Sequence, residues 1–197
     1  MNELPMLLSV FATGVVLENV VLARAFVEND PDRLFRTYGG TLRLGAVTTA
    51  VAMLAMLFAV GLRTLFAQSE LTTSLRWITY FVCVAAAFVL LRPLFLHLSK
   101  GAHAIADRQL VYTAFNGAVY GIVALSMANY TAVLPALVYA LGCSVGLTAA
   151  QLLIHAGRER ISLSAVPRPF SGLPILMIYL GILSLAIYGL VGHQLPT

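Results

Sequence analysis

Runs of apolar residues, each about as long as a lipid bilayer is thick, leave this chain few ways to fold. Windows of that kind can be drawn at 6–26, 44–66, 77–98, 110–128, 131–154 and 173–192. A membrane span takes about 20 mostly apolar residues. Inside hydrocarbon every backbone N–H and C=O must be satisfied internally, which an α-helix does alone. The windows therefore predict an all-α integral membrane protein with six transmembrane helices. Composition agrees, because only 10% of the 197 residues are charged and 60% are hydrophobic, whereas a soluble chain has about a quarter charged.

The formal charge of +4 would point a soluble protein toward nucleic acid, but here the basic residues sit between spans and report topology. Arg24, Arg33, Arg36, Arg43, Arg92, Lys100, Arg108, Arg158, Arg160 and Arg168 fall on one side, and only Arg63 and Arg76 on the other. Loops rich in Lys and Arg stay cytoplasmic, so both termini are expected outside the cytoplasm, with anionic lipid headgroups beside the basic loops. Arg92 lies near enough to a span end to snorkel. The first apolar window has Glu3 and no base before it, which argues for a retained span and against a cleaved signal. Cys83 and Cys143 fall inside spans with no C-x-x-C spacing, the pattern of buried small residues.

Two spans are interrupted by polar groups. Glu18 and Asn19 sit in the first, and Asn116-Gly117, with Gly121 one turn on, in the fourth. A carboxylate at membrane depth is costly and usually paired or functional. The polar loop 99–109 divides the chain into a first three-helix unit, 1–98, and a second, 99–197. Three being odd, the second unit enters the membrane the opposite way up, as in inverted repeats whose broken helices mark a midplane site. Glu18, Asn19 and Asn116 are therefore the candidate ion or polar membrane site. Gly117 and Gly121, like Gly142 and Gly146, also have the four-residue spacing of close helix packing, and the residues alone leave both readings open.

The segment Arg158-Glu159-Arg160, followed by Val166-Pro167-Arg168-Pro169-Phe170-Ser171-Gly172, resembles the small six-helix subunits shared by the Rnf and Nqr complexes. Within that group it is most similar to the A-type member of Rnf and the E-type member of Nqr. The resemblance continues at Val16-Leu17-Glu18-Asn19-Val20-Val21-Leu22-Ala23-Arg24 and at Asn116-Gly117-Ala118-Val119-Tyr120-Gly121. It implies two inverted three-helix repeats with short or broken first helices, and a paralogous partner of opposite topology. It further implies flavin and iron-sulfur partner subunits, and a two-iron two-sulfur cluster to which each membrane subunit gives two thiolates. In this chain those two positions read Asn29 and Gly117, neither of which is a thiolate.

The expectation is thus an integral subunit of an Rnf- or Nqr-like complex in a bacterial inner membrane, coupling redox chemistry to ion translocation. Its own cluster ligands are missing, no cofactor is assigned to it and no catalytic nucleophile is proposed. Arg158, Glu159, Arg160 and Arg168 are the expected cytoplasmic docking residues. The alternatives are a cluster-free transporter with Glu18 as a proton or cation site, and a structural scaffold of the same fold.

Overall fold

The computed structural model describes residues 3–17, 19, 38–65, 75–98, 110–162 and 166–191. The helices are α1 (Glu3–Ala12), continued by a π-helical turn (Thr13–Leu17), α2 (Tyr38–Leu65), α3 (Arg76–Leu98), α4 (Gly117–Asn129), α5 (Val133–Ser162) and α6 (Leu173–Val191). A helical segment at 110–114 leads into α4, and a 3-10 turn (Arg168–Phe170) precedes α6. Among the described residues there is no strand. The expected all-α membrane class is the observed one. Tyr38–Thr64, Arg76–His97, Leu110–Asn129 and Val133–Ile161 are long and apolar enough to cross a bilayer, and Glu3–Val16 and Leu173–Gly189 are shorter apolar helices.

Two boundaries that bear on the cytoplasmic end differ from those read in the sequence. The fifth helix runs 30 residues to Ser162, about 45 Å at 1.5 Å per residue. Arg158, Glu159 and Arg160 therefore lie on its last turns and not in a loop. Arg and Glu are good helix formers, and a hydropathy window ends where a helix need not. The second helix begins at Tyr38, six residues before the expected window, with Gly39 and Gly40 inside its first turn. An interior Gly costs about 1 kcal/mol, offset here by tertiary contact: the Tyr38 hydroxyl donates to Glu159 Oε2 at 2.9 Å, and its ring meets His155 edge-on at 4.5 Å.

The core lies where α2 and α5 pack on each other, flanked by α1 and α4. Half of the apolar window of α2 or α5 is buried, against 22% for α3, so α3 presents most of its surface outward. Hydroxyls in this core do not strand polar atoms. Thr48, Ser126, Ser144 and Thr148 each donate to the carbonyl four residues back, the usual way such side chains are satisfied in an apolar helix.

The first helix sits on the fifth with backbone against backbone. A Cβ added at Gly142 would lie 2.5 Å from the Phe11 carbonyl oxygen, one at Gly146 2.6 Å from that of Val15, and one at Gly14 2.8 Å from that of Tyr139. The four-residue spacing of Gly142 and Gly146 is therefore a packing motif, as read from sequence. Gly142→Val forces these backbones apart and is expected to cost about 1–3 kcal/mol, the usual overpacking range. Gly39→Ala, where a Cβ meets nothing within 4 Å, is expected to be neutral or stabilising. Thermal unfolding of both variants in one detergent checks the contrast.

Candidate functional site

The fourth apolar segment is broken at Phe115 and Asn116, where the sequence placed a weak point. Asn116 is the N-cap of α4, with φ −79° and ψ 137°, and its Oδ1 accepts from the Ala118 N–H at 3.0 Å. Asn is among the best residues for this task, because its short side chain satisfies a donor that the helix cannot. What remains of the helix is 13 residues, about 20 Å, against a hydrocarbon core of about 30 Å. The break therefore falls at membrane depth. Gly117 follows it in the first turn, exposed, as is Phe115 on the other side.

A cavity of about 280 Å³ opens at this break, between α3 and the start of α4. Phe81 and Val84 line it from α3; Phe115, Asn116, Gly117 and Tyr120 line it from the interrupted segment. Its walls belong to an aromatic array. Phe115 lies 5.9 Å from Phe81 and 5.3 Å from Phe88, ring centre to ring centre. Tyr120 stacks on Trp77 at 6.1 Å and donates its hydroxyl proton to the Trp77 carbonyl. That bond ties α4 to the first turn of α3, fixing one wall of the cavity.

Asn19 has a different setting. It is 3% exposed, and its Nδ2 donates to the Val15 carbonyl at 3.1 Å and to the Gly146 carbonyl at 2.8 Å. The side chain thus closes the π-helical turn and stitches it to α5. Among the described residues Asn19 and Asn116 share no hydrogen bond. Glu18 and Asn29 lie outside the described residues, as does the side chain of Arg168. Arg158, Glu159 and Arg160 are exposed at the end of α5, where Glu159 holds Tyr38.

The sequence did not single out Arg63. Its guanidinium donates to the carbonyls of Met127 at 3.5 Å and Tyr130 at 3.1 Å, and to that of Thr131. The end of α2 thereby caps the C-terminus of α4 and the turn at 130–132, where carbonyls carry the negative end of the helix dipole. Its signal was present, since Arg63 is one of only two bases on the side where bases are scarce.

The residues at the break do not fit a thiolate-held iron-sulfur cluster. Gly117 has no side chain, and Cys83 and Cys143 are packed in the core at 1% and 0% exposure. Among the described residues no three His, Cys, Asp or Glu side chains gather where they could hold a metal.

A sequence-family model described as Rnf-Nqr subunit, membrane protein, matches residues 7–193. The chain is 26% identical over 183 residues to the A subunit of the ion-translocating oxidoreductase complex of Cereibacter sphaeroides, covering 93% of this chain and 95% of that protein. It is 31% identical over 150 residues to the protein of the same name from Vibrio atlanticus, covering 76% and 78%. The counterpart from Actinobacillus pleuropneumoniae is 30% identical over 150 residues, covering 76% and 77%.

Two substitutions test the local roles. Asn116→Ala removes the cap and is expected to cost about 0.5–2 kcal/mol, seen as a lower unfolding temperature with helix content retained. Arg63→Met strips three carbonyls of their donor and is expected to cost at least as much, about 1–3 kcal/mol for groups left partly buried. A melting temperature unchanged by either would show that these bonds do not hold the break in place.

Proposed function

We propose that this chain, which belongs to the Rnf-Nqr family of membrane subunits, works as an integral subunit of an ion-translocating oxidoreductase complex. One observation carries the reading: the chain is similar over 95% of the length of a relative bearing that name.

The division into units 1–98 and 99–197 as inverted repeats is supported by the helix contacts. Exchanging α1 with α4, α2 with α5 and α3 with α6 turns the α1–α5 contact into α4–α2, α2–α3 into α5–α6, and α3–α4 into the contact of α6 with the π-helical turn. The central α2–α5 contact maps onto itself. The α4–α5 contact, enforced by the short turn at 130–132, has no counterpart of similar extent. In each unit the first helix is the one that stops short, at the π-helical turn and at Asn116.

A paralogous six-helix subunit of opposite topology is the proposed partner, seated over the break in the fourth segment. Irregular backbone at membrane depth persists only where protein or a wet cavity covers it, and Phe115 is 44% exposed in this chain alone. Flavin and iron-sulfur subunits complete the proposed assembly, and Arg158 and Arg160 are its cytoplasmic docking residues. A bacterial inner membrane is the proposed location, in keeping with the family and the short loops, and the distribution of bases between loops supports both termini lying outside the cytoplasm. Glu18 is the proposed proton or cation site, and the fit of the break argues that this chain contributes no thiolate to a cluster.

Affinity purification from native membranes in mild detergent, with mass spectrometry of what accompanies the chain, tests the reading. Flavoprotein and ferredoxin-like partners are expected; recovery of the chain alone would favour a free-standing transporter of the same fold. Within the recovered complex, Glu18→Gln is expected to abolish ion-coupled activity with assembly intact. Weakened assembly would instead mark Glu18 as half of a structural pair.

A further inference from the structure

Arg63 and Arg76, set apart in the sequence as the two bases of the base-poor side, are brought to one place by the fold, at the end of the bundle away from Arg158 and Arg160. Arg63 lies in the last turn of α2 and Arg76 opens α3. Tyr80 stands between them: it follows Arg76 by one helical turn, and both guanidiniums act through space on its hydroxyl. Among the described residues no carboxylate pairs with either arginine. Three carbonyls fix the Arg63 guanidinium in position, and Arg76 is exposed.

Tyr80 is only 6% exposed, yet among the described residues its hydroxyl has no hydrogen-bond partner, whereas the polar atoms of buried side chains are normally satisfied. The first N–H groups of α3 add to the same field, since they lack intrahelical acceptors and carry partial positive charge. Complementary to two guanidiniums, a phenol and a helix N-terminus is a phosphate, whose several acceptor oxygens match the planar donor fork of arginine.

The level of the site selects the source of that phosphate. Trp77 is exposed and stacks on Tyr120, and Trp and Tyr rings settle at the depth of the lipid headgroups. Further along α3, Ile78, Val82 and Val89 are exposed at helical spacing, an apolar track for acyl chains. Phe81 and Val84, which line the cavity at the break, belong to a different face of α3, so a lipid on this track leaves the break to the partner subunit.

We propose that Arg63, Arg76 and Tyr80 hold the headgroup phosphate of an anionic phospholipid, with its acyl chains along Ile78 and Val82. The site does not depend on which complex the chain serves, and its failure would leave the subunit reading untouched.

Trp77 is the only tryptophan of the chain and reports on this place, because bromine quenches its fluorescence only at close range. The full chain is placed in phosphatidylcholine nanodiscs containing a graded fraction of brominated phosphatidylglycerol, and compared with nanodiscs in which the same fraction is brominated phosphatidylcholine. Half-quenching is expected at a several-fold lower fraction of the anionic lipid. Arg76→Gln is expected to bring the two lipids level, and Tyr80→Phe, which keeps the ring, to narrow the gap. Arg76→Gln, on an exposed side chain, decides the matter if Tyr80→Phe unfolds. Equal quenching by the two lipids in the unsubstituted chain, or a gap that survives both substitutions, would overturn the proposal. A gap abolished by inorganic phosphate, but not by chloride at the same ionic strength, would assign the site to free phosphate and overturn the lipid assignment.

Discussion

A helix that stops inside a bilayer exposes backbone groups that water cannot reach, and the structure turns on how two such stops are satisfied. At Asn116 the side chain caps α4 from within the same segment. At Asn19 the side chain reaches across to α5 as well as back to its own turn. The same residue type thus serves two geometries, one local and one tertiary. Because an unsatisfied group in hydrocarbon costs several kcal/mol, these amides are first of all structural, and any ion or ligand chemistry is built on top of that.

The tertiary solution at Asn19 requires the glycines of α5. Only where α1 and α5 meet without side chains between them is Gly146 within reach of Asn19, and the Phe11 and Val15 carbonyls close on Gly142 and Gly146. Packing without side chains is an efficient way for apolar helices to associate when lipid is as apolar as they are. At the other end of the bundle Arg63 and Tyr120 do comparable work through carbonyls, holding α4 between α2 and α3. The short helix α4 is therefore anchored at both ends, which keeps the cavity beside it open.

Much of this was legible in the sequence, and the misses share a cause. The apolar windows, the Asn116 break and the Gly142–Gly146 contact are local or periodic signals, and among the described residues an apolar helix lies in each window and the break and the contact are both present. The extension of α5 through Arg158-Glu159-Arg160 was missed because hydropathy ends at the bilayer while helix propensity does not. The early start of α2 depends on Tyr38 meeting Glu159 and His155, over a hundred residues away. The cavity joins Phe81 and Val84 to residues 114–117 and Tyr120, and no linear pattern declares such a meeting. Grouping Asn19 with Asn116 as one site rested on repeat symmetry, and the described bonds of the two amides go to different partners.

The central proposal is that the broken fourth segment faces another protein in the membrane, and the exposed outer face of α6 serves as the comparison. A photo-crosslinking residue at position 115, compared with one at position 182 on the outer face of α6, tests it in native membranes. Phe115 and Ile182 are both exposed in the chain alone, at 44% and 63%, so exposure does not bias the outcome. The account predicts a discrete protein adduct of subunit size from position 115 and lipid adducts from position 182. Lipid adducts alone from position 115 would contradict it.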